Sequence, residues 1–387
     1  MRIIFAHTPP DLYGASRSLL RLTSRLVKDG NEVQVILNDE GELGRELKKN
    51  GIKVIIQKKL FHITRERFKK LSSLIFVFSL PFSVLQITKI LRRIEPDIVH
   101  TNTALIISPA IAAFLMNKKH IWHMRETFIE YGSLWKIYRI LILFLSSKVI
   151  AVSKPVAEQF IYKKINNKVV VLNNGFPADE FTPIPTERIM KFKNDFHLNG
   201  KLLVGVIGRI KFGRKGQDIF VKASSLIRDK YPNVHFVIIG SPFPGNEEHL
   251  TMLKKMIMDL KLEANVTLTG DVKDIKAAIS ALDISVLPSV LPEPFGGVVI
   301  ESMAFAKPVI GTNIGGTTEQ IVDGESGYLI NPNDSPALAE AMERLIINKE
   351  LRLKMGQKGR ELFLSKFEFG KFYTDLMNIY TTTSNIS

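Results

Sequence analysis

Short apolar runs rich in β-branched residues alternate with longer stretches of helical character along the whole chain of 387 residues. Near-continuous apolar runs that are separated by helices indicate strands buried on both faces of parallel sheets. The first half is predicted to hold seven strands, at Arg2–Ala6, Val33–Leu37, Val54–Ile56, Ile98–Val99, Ile121–Trp122, Val149–Val152 and Val169–Leu172. The second half is predicted to hold six, at Leu202–Ile207, Phe236–Ile239, Val266–Leu268, Ile284–Leu287, Val309–Ile310 and Tyr328–Ile330.

Two such series predict an α/β protein with two Rossmann-like, doubly wound parallel-sheet domains. The segment Asn173-Asn174-Gly175-Phe176-Pro177 ends the first series, and Pro183 and Pro185 punctuate the polar stretch before the second. We therefore predict one domain over residues 1–175, a second over 176–365 and a C-terminal helix over 366–387. Ligands of open α/β sheets bind beyond the carboxyl ends of the strands, so the site is expected in a cleft between the two facing domains.

The segment from Leu71 to Thr88 is apolar and carries no charge. It contains Pro81 and several serines, and it falls short of the roughly 20 mostly apolar residues that span a bilayer. We interpret it as a helix in the core or on the domain surface, with a membrane-contacting helix and a spanning helix as alternatives. No secretory signal is expected, because the chain enters its first predicted strand at Arg2.

The charge of the chain is unevenly distributed. The net charge is +15, and residues 1–174 hold 28 Lys and Arg against 13 Asp and Glu, whereas the remainder holds 25 of each kind. The basic half is therefore expected to meet an anionic partner, either a membrane face or nucleic acid. The absence of cysteine excludes a disulfide scaffold, a thiol nucleophile and cysteine-ligated metal centres.

Two glutamates flank a glycine turn after the predicted strand Ile284–Leu287. Glu293 precedes the turn at Gly296 and Gly297, and Glu301 lies in the predicted helix that follows. Backbone N–H groups at a helix start favour an anion, and carboxylates accept hydrogen bonds from sugar hydroxyls. One interpretation is that the two glutamates hold a hexose and a ribose with a diphosphate between them. The other is a helix start with two solvated acids.

The segment Glu293-Pro294-Phe295-Gly296-Gly297-Val298-Val299-Ile300-Glu301 closely resembles the Glu-(seven residues)-Glu motif of retaining glycosyltransferases of family 4, also called group 1. Further motifs of that family are matched in the same order by Asp97-Ile98-Val99-His100, Asn174-Gly175 with Phe181, Gly208-Arg209 with Lys215-Gly216, and Gly315-Gly316 with Glu319. The resemblance covers nearly the whole chain. It implies the GT-B fold and a retaining transfer of a hexose from a nucleotide-diphosphate sugar, such as a UDP-sugar.

The resemblance also implies roles for individual residues. Glu293 is expected to bind hydroxyls of the donor sugar, and Glu301 is expected to bind hydroxyls of the ribose. Backbone contacts to the donor are expected from Phe295, Gly296, Gly297 and Val298.

Arg209 and Lys215 suit the chemistry of a diphosphate leaving group. The negative charge on that group grows as the glycosidic bond breaks, and fixed positive groups lower such a barrier. The chain has no Asp-x-Asp sequence. The resemblance implies that Arg209 and Lys215 replace a metal ion, so we expect neither a metal nor another cofactor.

The first domain departs from the family pattern in two places. Many relatives have two glycines after strand one, whereas this chain has Gly14 alone, which either lets the backbone approach a phosphate or simply forms a turn. Many relatives also have a histidine at the end of strand five, and here either His123 or Arg125 takes that position. The alternatives are a buried structural His123 and a structural ion pair between Arg125 and Glu126.

Basic clusters adjoin apolar segments in the first half of the chain. The basic clusters are Lys58-Lys59, Arg65, Arg67, Lys69-Lys70, Arg92-Arg93, Lys118-Lys119 and Lys163-Lys164, and the apolar neighbours are Leu74–Phe78 and Ile140–Leu145. Such surfaces favour anionic lipid. We therefore expect a lipid-linked glycan acceptor and a cytoplasmic protein that is peripheral at the inner face of the cytoplasmic membrane. The alternative is a solvated basic surface over buried apolar runs. The GT-B resemblance implies that the helix over 366–387 crosses back to the acceptor-binding first domain.

The predicted function is thus a retaining hexosyltransferase in the synthesis of a cell-surface polysaccharide or glycolipid, with no nucleic-acid partner. A GT-B nucleotide-sugar epimerase is an alternative that would need extra acid–base residues. A Rossmann dehydrogenase would need Gly-x-Gly-x-x-Gly after a strand, which is absent after Ile4 and after Ile207. A non-catalytic basic protein that binds membranes or nucleic acid would explain the charge but not the set of Arg209, Lys215, Glu293 and Glu301.

Overall fold

The computed structural model describes residues 1–61, 74–128, 132–160 and 167–384, with the backbone alone for residues 74–78. The chain forms two compact units, which are described separately below. The first unit consists of Met1–Gly175 together with Gly370–Ser387, and the second consists of Phe176–Phe369. Four of the predicted basic clusters or residues, namely Arg65, Arg67, Lys69-Lys70 and Lys163-Lys164, lie outside the described residues, as do the side chains of Leu74–Phe78.

The first unit is built on a parallel sheet of seven strands. The strands are β1 (Arg2–His7), β2 (Glu32–Leu37), β3 (Lys53–Ile56), β4 (Ile98–Thr101), β5 (Lys119–Met124), β6 (Lys148–Ala151) and β7 (Val169–Val171). Their spatial order is β3-β2-β1-β4-β5-β6-β7. All seven strands predicted for this half are confirmed, and the order reverses between β1 and β4, where an open α/β sheet has its binding crevice.

Helices connect these strands. They are α1 (Gly14–Lys28), α2 (Gly41–Lys49), α3 (Leu74–Ile94), α4 (Ser108–Leu115), α5 (Gly132–Leu145) and α6 (Lys154–Glu158). In α1, the buried residues include Leu19, Leu22 and Leu26, which recur at helical spacing.

The second unit contains a parallel sheet of six strands. They are β8 (Leu202–Ile207), β9 (Val234–Ile239), β10 (Val266–Gly270), β11 (Ile284–Leu287), β12 (Val309–Thr312) and β13 (Gly327–Ile330), in the order β10-β9-β8-β11-β12-β13. All six predicted strands are confirmed. The order reverses between β8 and β11, and β11 also pairs with β12, so the loops after these three strands meet at one sheet edge.

The helices of the second unit follow the same alternation. They are a 3₁₀ turn (Ala178–Phe181), α7 (Thr186–Asp195), α8 (Gln217–Ile227), α9 (Glu248–Asp259), α10 (Ile275–Ala281), α11 (Gly297–Ala304), α12 (Thr317–Gln320), α13 (Ser335–Ile347), α14 (Lys349–Leu362) and a π-helical turn (Phe363–Phe367). Asp274, Asp334 and Asn348 cap the N-termini of α10, α13 and α14 by accepting backbone hydrogen bonds.

The last helix, α15 (Phe369–Ser384), begins at Phe369, the last residue of the second unit, and its other residues belong to the first unit. Its Tyr380 is fully buried, and the hydroxyl lies 2.8 Å from Nδ1 of His100 on β4. Its Tyr373 ring lies under the guanidinium of Arg25 from α1, 5.0 Å from the ring centroid. The prediction that residues 366–368 are part of this helix differs from the structure, because Lys366 and Phe367 complete the π-helical turn.

The apolar segment that begins at Leu71 falls partly in α3. Pro81 lies inside this helix, Ile87 and Leu91 are buried, and Phe82 and Leu85 are exposed. A search of the four described ranges for helices with the length and apolar character to cross a bilayer found no candidate.

Candidate active site

Three loops at the carboxyl ends of β8, β11 and β12 form the centre of the candidate site in the second unit. The loop after β8 carries Arg209 and Lys215, and the loop after β11 carries Glu293. The backbone N–H groups of Val290 and Leu291 both donate to the carbonyl of Arg214, which joins the first two loops. The sequence elements that were predicted to act together are therefore adjacent because β8 and β11 are neighbours in the sheet.

Gly216 permits the close approach of these two loops. Its φ is +73°, in the left-handed region, and a Cβ at this position would collide with the carbonyl oxygen of Pro288. The loop after β12 meets the second loop in a similar way, because the N–H of Gly316 donates to the carbonyl of Glu293 at 2.8 Å. The backbone of Glu293 is thus held by the loop after β12.

An ion pair forms between two of the predicted site residues. Nζ of Lys215 lies 2.6 Å from Oε1 of Glu293, and Oγ of Ser289 donates to the same oxygen at 2.8 Å. Burial acts to raise the pKa of Glu293, but the Lys215 ammonium and its hydrogen bond outweigh burial, so the pKa is lowered. The carboxylate is therefore ionised near neutral pH and oriented by two donors.

Arg209 lies at the start of the same loop. Its guanidinium carbon is 4.5 Å from the ring centroid of Phe243, which is the geometry of a cation–π contact. The carbonyl of Arg209 accepts a hydrogen bond from the buried side chain of Gln217 at 2.9 Å. The guanidinium and the backbone carbonyl of Arg209 are therefore both held by residues that the sequence motifs did not include.

The glycine turn leads directly into α11. The N–H of Gly297 donates to the carbonyl of Phe295, and the N–H of Val299 donates to that of Gly296. The Phe295 ring packs on Phe176 and Phe367, at centroid distances of 6.5 Å and 6.1 Å. The side chain of Phe295 is therefore used in packing, and a contact of its backbone with the donor stays a prediction.

Two further donor-binding predictions lie on α11. Val298 and Glu301 are half-buried in its first two turns. The N–H groups of Gly297 and Val299 already donate within the turn, so at this end it is the positive end of the helix dipole that favours an anion. The contacts of Val298 and Glu301 with a donor stay predictions.

In the first unit, Arg125 joins three elements. Its guanidinium donates to Oδ1 of Asn102 at 3.0 Å, to Oδ1 of Asn174 at 2.6 Å and to Oγ of Ser18 at 3.2 Å. Burial lowers the pKa of Arg125 to about 10, so it remains charged at neutral pH. The Glu126 carboxylate accepts hydrogen bonds from Thr103 and from the backbone of Ala104, and within the described ranges the two side chains of Arg125 and Glu126 form no ion pair with each other.

His123 is fully buried, and neither ring nitrogen has a hydrogen-bond partner among the described residues. Its ring lies 5.4 Å from that of His100. Burial lowers the pKa of His123 well below the usual value, and the positive charge of Arg125 lowers it further. His123 is therefore neutral, and its role in the reaction stays a prediction.

Gly14 opens α1 and is exposed. A Cβ at this position would meet nothing within 4 Å, so space is open above the backbone. This agrees with the approach of a ligand and equally with a simple turn. No cluster of three or more His, Asp and Glu side chains suited to a metal ion was found in the ranges that the structure covers, and the expectation of metal-free chemistry stays a prediction.

Sequence reasoning missed three residues of the site, namely Gln217, Phe243 and Ser289. Ser289 lies two residues after the end of β11 and is fully buried. It lies four residues before Glu293, but this spacing predicts a contact only once the loop conformation is known, because the turn between the two residues brings their side chains together.

Comparison with known proteins agrees with this architecture. Residues 188–362 match the family described as "Glycosyl transferases group 1", and residues 13–180 match the family described as "Glycosyltransferase Family 4". The chain is 28% identical over 323 residues to the Capsular polysaccharide biosynthesis glycosyltransferase CapM of Staphylococcus aureus, which covers 80% of this chain and 82% of CapM.

Solved structures share the fold over the full length. The Anabaena protein Alr3699/HepE in complex with UDP superposes with a TM-score of 0.85 at 23% identity and covers 99% of this chain and 100% of its own. A mutant of S. aureus TarM, solved in complex with Fondaparinux, alpha-GlcNAc-glycerol and UDP, superposes with a TM-score of 0.75 at 15% identity, covering 98% and 99%.

The fold and the motifs at its sheet edges therefore define a glycosyltransferase with the GT-B fold. Within this class, the chain belongs to family 4, the group 1 glycosyltransferases.

Proposed function

We propose that this chain transfers a hexose from a UDP-sugar to a lipid-linked glycan during the synthesis of a cell-surface polysaccharide, with retention of the anomeric configuration. The observation that carries the proposal is the ion pair of Lys215 with Glu293 beside the start of α11. It sets a cation and a hydroxyl-binding carboxylate 2.6 Å apart, next to a helix N-terminus whose dipole favours an anion.

The chemistry of these groups matches the demands of sugar transfer. The bond between the anomeric carbon and the donor phosphate oxygen breaks, and a bond to the acceptor oxygen forms on the same face. The acceptor proton passes to the departing phosphate oxygen. Arg209 and Lys215 stabilise the charge that grows on the diphosphate, and Glu293 orients the sugar through its hydroxyls.

The named relatives support the choice of substrates. CapM is named for capsular polysaccharide biosynthesis, and the structures of Alr3699/HepE and TarM contain UDP. The basic first half of the chain supports an acceptor at an anionic surface, which we propose is the inner face of the cytoplasmic membrane.

A thermal-shift panel tests the donor. The purified chain is melted with UDP-, GDP-, ADP- and dTDP-sugars in the presence of EDTA, and a ligand that binds only the native state raises the melting temperature. We expect a shift with UDP-sugars that survives EDTA and is lost in Lys215→Met and Glu293→Gln. Lys222→Met, an exposed position on α8, is the matched control that keeps the shift.

Two results would contradict the proposal. If no nucleotide sugar shifts the wild-type melting temperature, or only does so with added metal, the metal-free donor site is wrong. If NMR of the glycoside product shows an inverted anomeric configuration, the retaining mechanism is wrong even if the donor binds.

A further inference from the structure

Helix α5 is apolar on its buried side and on much of its exposed side. Its buried residues are Trp135, Tyr138, Ile142 and Leu145. Its exposed apolar residues are Ile137, Ile140, Leu141 and Phe144, which follow the i, i+3, i+4, i+7 spacing of a single helical stripe. The buried side packs within the unit, whereas the exposed stripe leaves apolar side chains at its surface.

The end of α4 extends this stripe. Phe114 and Leu115 are exposed there, and the ring of Phe114 lies 5.1 Å from that of Phe144. We call Phe114, Leu115, Ile137, Ile140, Leu141 and Phe144 the apolar patch. Each of these residues exposes between 36% and 68% of its surface. Single exposed apolar residues are ordinary, whereas contiguous ones mark a surface that meets another apolar phase.

The helices around the patch carry one sign of charge. Helices α3, α4 and α5 contain five basic residues and no acidic residue, and Lys118 and Lys119 lie three and four residues after the end of α4. Helix α3 packs on α4, and its exposed Phe82 lies 4.9 Å below the ammonium of Lys59. An apolar centre is therefore bordered by cationic side chains.

This charge pattern selects an anionic bilayer as the occupant. Two copies of the chain joined through the patch would bring two strongly basic halves together, which is electrostatically unfavourable. An anionic lipid surface attracts the basic residues and accepts the apolar side chains among its headgroups and acyl chains.

We propose that the apolar patch inserts into the interface of an anionic phospholipid bilayer and docks the first unit there. The inference deepens and rests on the lipid-linked acceptor proposed above, because docking would bring the unit to an acceptor that is itself held in the membrane. The phospholipid surface, rather than a single bound lipid, is the partner.

Co-sedimentation with vesicles tests the docking. The full chain is mixed with vesicles of phosphatidylcholine alone or with phosphatidylglycerol added. We expect binding only to the anionic vesicles, with a decline as salt is raised. The triple variant Ile137→Ser, Ile140→Ser, Phe144→Ser should lower the partition coefficient about tenfold or more. The matched control replaces three exposed apolar residues of the second unit by serine, namely Leu226, Met252 and Ile347, and should keep wild-type binding.

A second variant guards against misfolding. Phe144→Trp keeps the patch apolar, and its fluorescence should be quenched by lipids with brominated acyl chains beyond the quenching seen in the wild type. If wild-type binding is absent, if the triple variant binds like the control, or if the new tryptophan is not quenched, the proposal is overturned. A wild-type dimer that becomes monomeric in the triple variant would instead assign the patch to a second copy.

The donor panel without vesicles separates this proposal from the proposed function. A chain that binds UDP-sugar but no vesicle refutes the docking alone. A chain that binds vesicles but no nucleotide sugar refutes the donor site and leaves the docking intact.

Discussion

Replacement of Lys215 by methionine gives a sharp test of the ion pair at the candidate site. Methionine keeps most of the length of the side chain and removes the ammonium that lies 2.6 Å from Oε1 of Glu293. In the wild type the pKa of Glu293 is lowered, so its ionisation contributes stability above the unfolded-state pKa, and this is lost as the pH falls through the folded-state pKa. Without the ammonium, burial is opposed only by Ser289 and the charge of Arg214, so we expect the pKa to rise.

The magnitude follows from the exposure of the two side chains, which is 32% for Lys215 and 15% for Glu293. Removal of one partner from a fully buried pair costs about 3–5 kcal/mol, whereas an exposed pair contributes about 0.2–1 kcal/mol. The pair lies between these limits, so we expect a loss of about 1–3 kcal/mol near neutral pH. For a unit of this size that lowers the melting temperature by about 2–10 °C.

The pH dependence identifies the cause. The difference in melting temperature between Lys215→Met and the wild type should be largest near neutral pH. It should shrink as the pH falls, first through the raised pKa of Glu293 in the variant and then through its lowered pKa in the wild type. The control Lys222→Met should show no such trend, and Lys215→Arg should restore most of the stability. The double variant Lys215→Met, Glu293→Gln should be more stable than Lys215→Met, because the uncompensated carboxylate is gone.

The assay is thermal unfolding of the four variants at several pH values, followed by transfer activity at neutral pH. Loss of the ammonium should lower the rate of transfer by about 10²–10³, as for other single groups that stabilise transition-state charge. A destabilisation that is the same at acid and neutral pH, or a double variant no more stable than Lys215→Met, would refute the reasoning.

The remaining predictions concern the supports of the site. Phe243→Ala should raise the donor KM or lower the rate of transfer several-fold, because the cation–π contact that holds Arg209 is removed. The loss of stability should be less than about 1 kcal/mol. Steady-state kinetics will check this, with Phe243→Tyr as the variant that restores the contact. Gly296→Ala should lower the rate of transfer, because the new Cβ would lie 2.9 Å from a methyl of Leu287 and 3.1 Å from Oε1 of Gln320, so these side chains or the turn must shift. Gly297→Ala, whose Cβ would meet only one ring carbon at 3.7 Å, should keep the melting temperature of the wild type. Tyr380→Phe should cost about 1–3 kcal/mol in thermal unfolding, because it removes the 2.8 Å hydrogen bond to a buried histidine, and an unchanged melting temperature would contradict that bond.

The strands could be predicted because burial on both faces leaves a direct trace in the sequence. Every predicted apolar run became a strand, since β-branched residues without polar alternation suit a sheet covered by helices on each side. The ends of helices could be predicted less well from the sequence. The segment at Lys366 and Phe367 has helical composition, yet it forms a π-helical turn in which the Phe367 ring packs against Phe295.

The motifs named Lys215 and Glu293 as residues of one site without predicting their ion pair, and they did not include Ser289, Gln217 or Phe243. Lys215 and Glu293 are 78 residues apart and meet because β8 and β11 are neighbours, an order that is not consecutive in the chain. The contact of Phe243 with Arg209 depends on the course of the loop after β9, and no periodic pattern describes that course.

The choice between His123 and Arg125 shows what a one-dimensional pattern leaves open. Both residues were candidates for one position, because two alignments of the same six residues were possible. In the structure, His123 lies inside β5 and its ring is fully buried. Arg125 follows the strand and is half-buried. Its guanidinium donates to side chains from α1, from the end of β4 and from the end of the first unit's sheet. A group that follows the carboxyl end of a central strand is better placed for an anionic ligand than one within it. His123 is neutral and lies near the charged Arg125, so it supplies polar atoms without adding positive charge. The two residues therefore suit different tasks and are not alternatives for a single role.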